Sequence, residues 1–244
     1  LQAHTSSMAP PGEFVFLFDV DNTLFDNDRF QEDLKARLAS ELGAAARDSY
    51  WSLLEELRSE LGYVDYLGAL ERYRNRAARN AVSDPQLLQM ASFLLDYPFA
   101  EHLYPDALRV LDHCSRYGRT VLLTDGEIVF QPRKIQRSGL LDAVGRRVLL
   151  YVHKEEMLED VALRYPAQHY IMVDDKLRIL SAMKALWGDR LTSVFPRQGH
   201  YALDAREVAA YPAADISLDS IGDLLRYDLA SLLAPAAAQN MEKT

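Results

Sequence analysis

A single cysteine, Cys114, excludes an internal disulfide and suits a reducing, cytoplasmic setting. His and Cys pairs at structural-zinc spacing are also missing, so any metal should be a hard ion held by carboxylate oxygens, with magnesium the leading candidate. Positive charge is scarce: 27 Lys and Arg against 36 Asp and Glu give a formal charge of -9. That balance argues against a general nucleic-acid binder and against attachment to an anionic membrane. No apolar run approaches the roughly eighteen residues needed to cross a bilayer, and no charged stretch leads into a hydrophobic block as in a secretory signal. The polar opening LQAHTSSMAPPGE carries no pattern, and Met8 reads as a native start behind an expression scar. Residues 1–12 are therefore set aside as tag or disordered chain.

Apolar residues make up 49% of the chain, ample for a packed core. The run FVFLFDV at 14–20 has the composition of a strand covered on both faces in a parallel sheet, and its end carries two acids, Asp19 and Asp21. From Asp28 to about Asp96 the pattern becomes helical, with Phe30, Leu34, Leu38 and Leu42 and then Tyr50, Leu54, Leu57 and Leu61 at helical spacing. A third helix runs through Tyr66, Leu70, Tyr73 and Ala77, and a fourth opens at SDPQ, where Ser83 or Asp84 can cap and Pro85 suits the first turn. After Pro105, helices alternate with short apolar strands near 119–124, 147–152, 170–173 and 191–194. The expected fold is α/β: a doubly wound, parallel-sheet, Rossmann-like core with an inserted all-helical cap domain. Boundaries follow as 13–26 and 103–230 for the core, 27–102 for the cap and 231–244 for a flexible tail.

Open α/β sheets bind ligands beyond the carboxyl ends of their strands. Those ends carry Asp19 and Asp21, Thr124 and Asp125, His153 and Lys154, then Asp174 and Asp175. A lone strand-end Asp is ordinarily a turn or cap residue, but several carboxylates meeting at one edge repel unless a cation lies among them. Phosphoryl transfer through an aspartyl-phosphate fits this set: one carboxylate attacks, a second moves protons, a divalent ion offsets charge, and a hydroxyl and an ammonium hold the oxygens.

The ordered motifs DVDNT at 19–23, VLLTDGE with Thr124, Lys154 after the third strand and VDD at 173–175 resemble those of the haloacid dehalogenase superfamily, and the helical insertion resembles its C1 cap. The resemblance implies Asp19 as nucleophile and metal ligand, and Asp21 as general acid and base with its backbone carbonyl on the metal. It implies Thr124 and Lys154 on the phosphoryl oxygens, with Asp125 beside them, and Asp174 and Asp175 on Mg2+; VDDK fits the last motif in two registers, so both acids are kept. Lys134 in QPRKIQ is the rival to Lys154, and Asn22 stands where many relatives have Gly. Dehalogenating relatives typically carry Tyr where this chain has Asp21. The implied enzyme is therefore a magnesium-dependent phosphatase, a phosphoric monoester hydrolase acting on a small phosphorylated metabolite. The alternatives are a phosphomutase or a non-catalytic phospho-acceptor or binding protein. Arg72, Arg74, Arg76 and Arg79 read as a solvated helix face before an anion site, and Tyr63, Tyr66 and Tyr73 as packing before substrate stacking. FPRQGHYALD at 195–204 reads as a loop past the last strand, at the cleft.

Overall fold

The computed structural model describes residues 13–76 and 82–229. The expected tag and tail, the end of the third helix at Ala77, and Arg79 lie outside the described residues.

Six parallel strands form one sheet in the order β3-β2-β1-β4-β5-β6. They are β1 (Phe14–Phe18), β2 (Arg119–Asp125), β3 (Val148–Tyr151), β4 (His169–Val173), β5 (Leu191–Pro196) and β6 (Ile216–Leu218). Every residue of β1 is buried, as its unbroken apolar run requires of a central strand. Because side chains alternate across a strand, Phe14, Phe16 and Phe18 pack into the core on one face of the sheet, and Val15 and Leu17 into the core on the other. Helices α5 (Ala107–Ser115), α6 (Phe130–Arg137), α7 (Leu140–Ala143), α8 (Leu158–Arg164), α9 (Leu177–Trp187), α10 (Gly199–Leu203) and α11 (Ala205–Ala209) connect the strands. This is the expected doubly wound α/β core. Among the described residues no helix is long and apolar enough to cross a membrane.

Among the described residues four helices are inserted after β1: α1 (Asn27–Leu42), α2 (Ala44–Leu61), α3 (Tyr66–Arg76) and α4 (Asp84–Asp96). The Asp26 carboxylate caps α1 by accepting the Arg29 amide at 2.9 Å, and the Gln86 side chain returns to the Ser83 amide at 3.0 Å to start α4. Most of the helical stripe read from the sequence is the buried face, with Phe30, Leu34 and Leu38 fully inaccessible, whereas Leu42 is only partly buried and Leu61, at the end of α2, is exposed. Aromatic packing seats the insertion on the core: Phe130 of α6 lies 5.3 Å from Phe30 and 5.0 Å from Tyr66 between ring centres. The two crossings of the chain run side by side as a neck, where the Asp26 amide donates to His102 O and the Tyr104 amide to Leu24 O, both at 2.9 Å.

Two local expectations need correction. The strand at 191–196 is not the last, because β6 pairs outside it; at three residues, Ile-Ser-Leu is too short to show a period. Residues 195–204 are no simple loop either, since β5 runs to Pro196 and Gly199–Leu203 is helical.

Candidate active site

Strand order reverses between β1 and β4, which opens a crevice at their carboxyl ends. Parallel pairing places the next residues together: the Asp19 amide donates to Val173 O at 2.9 Å, and the Asp174 amide to Val194 O at 3.1 Å. Lys154, entering from beyond β3, is fully buried and inserts its ammonium between them. Its Nζ pairs with Asp19 Oδ1, lies 2.7 Å from Asp174 Oδ2 and donates to Leu123 O at 3.3 Å. Burial alone would lower the Lys154 pKa, but Asp174 and Asp19 outweigh it and hold the side chain protonated. Burial raises the carboxyl of Asp174 against the pull of Lys154, and raises that of Asp175 well above the usual range, with Asp174 and Asp19 adding to it.

The donor set fits a hard cation. Asp19, Asp174 and Asp175 each offer a carboxylate oxygen, all within 4.8 Å of one another. Asp19 Oδ2 and both oxygens of Asp175 are buried without a hydrogen-bond partner, an arrangement that is costly unless a positive charge or protons reach them. The Asp21 side chain does not belong to this triad.

Asp21 instead pairs with the buried Lys134 at 2.5 Å and accepts from Gln131 Nε2 at 3.3 Å. The two lysines that compete in sequence thus have separate partners, Lys154 on Asp19 and Lys134 on Asp21. Gln131 also donates to Thr124 Oγ1 at 2.9 Å, so the hydroxyl at the end of β2 is already engaged. Asp125 accepts the Lys154 amide at 2.8 Å; burial, with Asp19 adding and Lys154 opposing, pushes its carboxyl up to about 6. Asn22 has φ of 60°, the left-handed conformation that Asn tolerates better than most residues.

A cleft of about 360 Å³ separates insertion from core; Asp21, Asp125, Lys134 and Lys176 line it from the core and Arg58 and Tyr63 from the insertion. Asp19, two residues before Asp21, is 2% exposed and does not itself line the cleft. Lys176, which motif reading leaves unassigned, sits over the Tyr201 ring at 5.1 Å and makes no ion pair within 4 Å among the described residues. Its position directly after the VDD motif was the available signal. His153 is an exposed neighbour of the cleft, while Tyr66 and Tyr73 are buried in packing. Arg72 and Arg76 pair with Glu60 and Glu56 on the exposed surface, and Arg74 with Glu71 at 3.5 Å, so this face is solvated as expected.

The sequence profile of haloacid dehalogenase-like hydrolases matches residues 15–186. A structure from Burkholderia xenovorans LB400, described as a haloacid dehalogenase-like hydrolase, is 57% identical, with 91% of this chain and 100% of that one covered and a TM-score of 0.84. The L-2-haloacid dehalogenase of Xanthobacter autotrophicus is 20% identical over 87% of this chain and 96% of its own, with a TM-score of 0.55. A hydrolase from Bacillus subtilis solved with magnesium is 15% identical, with 88% and 97% covered and a TM-score of 0.59. No curated protein matches the chain.

The expectation of a phosphatase, with its mutase and phospho-acceptor alternatives, is corrected by these likenesses: three of the similar structures, at 20%, 18% and 13% identity, are dehalogenases. The physical reason is visible at Asp21. Residue type suggested a free proton carrier for an alkoxide leaving group, but its carboxylate is occupied by Lys134 and Gln131.

Proposed function

The chain belongs to the haloacid dehalogenase-like hydrolase family, and from that premise we propose that Asp19 attacks the electrophilic centre of a small substrate, holding the fragment as an ester until water releases it. The observation that carries this reading is the asymmetry of the Asp19 carboxylate, with Oδ1 on Lys154 and Oδ2 buried and unpartnered. One oxygen is fixed; the other keeps its lone pairs for attack.

The 2-haloacids named for the dehalogenases are the substrate class to offer first. Oδ2 forms a bond to the halogen-bearing carbon as the carbon–halogen bond breaks, and halide leaves without needing a proton. A leaving group of that kind is compatible with an Asp21 already committed to Lys134. Water then adds to the Asp19 carboxyl carbon, and the ester oxygen departs as the substrate's new hydroxyl. Negative charge developing on Oδ1 in this second step meets the Lys154 ammonium, already in place in a water-poor setting. When no ion occupies the triad, Asp175, whose two oxygens have no hydrogen-bond partner, accepts the proton of water and returns it to the departing ester oxygen. Asp19, Asp174 and Asp175 would hold Mg2+, which when bound supplies neutralisation of their repulsion. In this reading residues 27–102 form a cap that keeps bulk water from the ester.

The test is halide release from 2-chloropropionate, with Asp19→Asn as the blank. Wild type should turn over, the variant should lose about a thousandfold or more, and turnover in 18O-water should place label in the Asp19 side chain. An unlabelled Asp19 in an enzyme that turns over, or full activity in Asp19→Asn, overturns the assignment.

A further inference from the structure

The stretch at 198–201 takes no part in the reaction above, yet it grips the loop that follows the nucleophile. Gln198, buried beyond β5, donates from Nε2 to Asn22 O at 3.2 Å and Thr23 O at 2.8 Å, while its Oε1 accepts the Ile221 amide at 2.9 Å. Gly199 follows with φ of 75°, and a Cβ there would lie 2.4 Å from that of Asn22. Only glycine lets the two segments meet so closely.

His200 then turns to the start of the insertion. The Asp28 carboxylate accepts the His200 amide at 2.7 Å and faces Nδ1 at 2.6 Å, so Nδ1 carries the proton. The same carboxylate accepts from Asn22 Nδ2 at 3.0 Å. Asn22 Oδ1 in turn takes the amides of Asn27 at 3.0 Å and Asp28 at 3.2 Å. Next along, Tyr201 accepts from Arg58 of α2 at 2.5 Å through its hydroxyl. Disturbance here has a short route to the reacting groups, because Thr23 Oγ1 accepts the Asp175 amide at 3.1 Å.

We propose that His200 is a positioning residue: by holding Asp28 against Asn22 it sets the helical insertion in register with the loop that carries Asp19 and Asp21. Four consecutive residues, Gln198 to Tyr201, touch that loop, the first turn of α1 and the side of α2. Asn22 gains from this support, since its left-handed backbone is less favourable for any residue that carries a Cβ than for glycine. The role concerns geometry, and it stands whatever substrate Asp19 attacks.

Hydrogen–deuterium exchange of the full chain tests it. His200→Leu removes the ring donor to a charged acceptor and should speed exchange in peptides spanning 19–28 by about tenfold. His200→Asn, whose amide nitrogen can occupy the place of Nδ1, should bring exchange back to within about twofold of wild type. Asp28→Asn should loosen the same peptides, with β3 and β6 unchanged in all three variants. Unchanged exchange at 19–28 in His200→Leu, faster exchange confined to 197–205, or no rescue by Asn overturns the proposal. So does loosening of the whole chain in both His200→Leu and Asp28→Asn, because the bond would then support the fold at large.

Discussion

Replacing Lys154 by Met should cost more stability than its lost contacts suggest. The stem is kept and the charge removed, which leaves Asp19, Asp174 and Asp175 buried together without their internal cation. Breaking a buried ion pair from one side typically costs about 3–5 kcal/mol. For a chain of this size that lowers the melting temperature by roughly 10 °C. The deficit should depend on pH. In the folded protein burial already raises the carboxyls of Asp174 and Asp175 above the ordinary value of 3.8, and loss of Lys154 raises them further. A raised carboxyl binds more protons folded than unfolded, so stability falls as pH climbs from 3.8 toward the raised value. The melting deficit, followed by circular dichroism, should be largest at pH 8 and shrink at pH 5.5, and millimolar magnesium should reduce it at pH 8. A melting temperature within about 2 °C of wild type at pH 8, or a deficit that grows on acidification, would refute the reasoning.

Other outcomes follow from single positions. A Cβ at Gly118 would sit 2.5 Å from the carbonyl oxygen of Phe14, so Gly118→Ala should cost about 1–3 kcal/mol, read as a lower denaturation midpoint in urea. Cys114 is buried with its thiol pushed up to about 12, so Ellman's reagent at pH 8 should find no thiol in the folded protein and one after denaturation. Arg74→Ala removes an exposed pair with Glu71 and should move the melting temperature by no more than about 1 °C, with turnover unchanged.

The parts legible in the sequence are those that depend on near neighbours. Phe14 to Phe18 announced a central strand because every position had to be apolar, and the four-residue recurrence from Phe30 to Leu38 marked the buried stripe of α1. Asp19, Asp174 and Asp175 could be gathered from strand ends because a parallel sheet aligns those ends. Reading failed where a side chain's meaning lies in a distant partner. Asp21 and Lys134 stand 113 positions apart, and no period or spacing joins them. The acceptor role of Asp28 is hidden for the same reason, since it is set by His200, 172 positions away. The functional expectation fell with Asp21, because a carboxyl's chemistry depends on what already holds it.

The neck between insertion and core has a consequence for how such a protein can diversify. Chain leaves at Asp26 and returns at Leu103 through adjacent, mutually bonded segments, so the backbone joins whatever lies between them to the core at essentially one place. Helices there can be lengthened, exchanged or transplanted from a relative without asking the strands on either side to shift. The strand-end carboxylates and the inserted helices are thereby free to change at different paces.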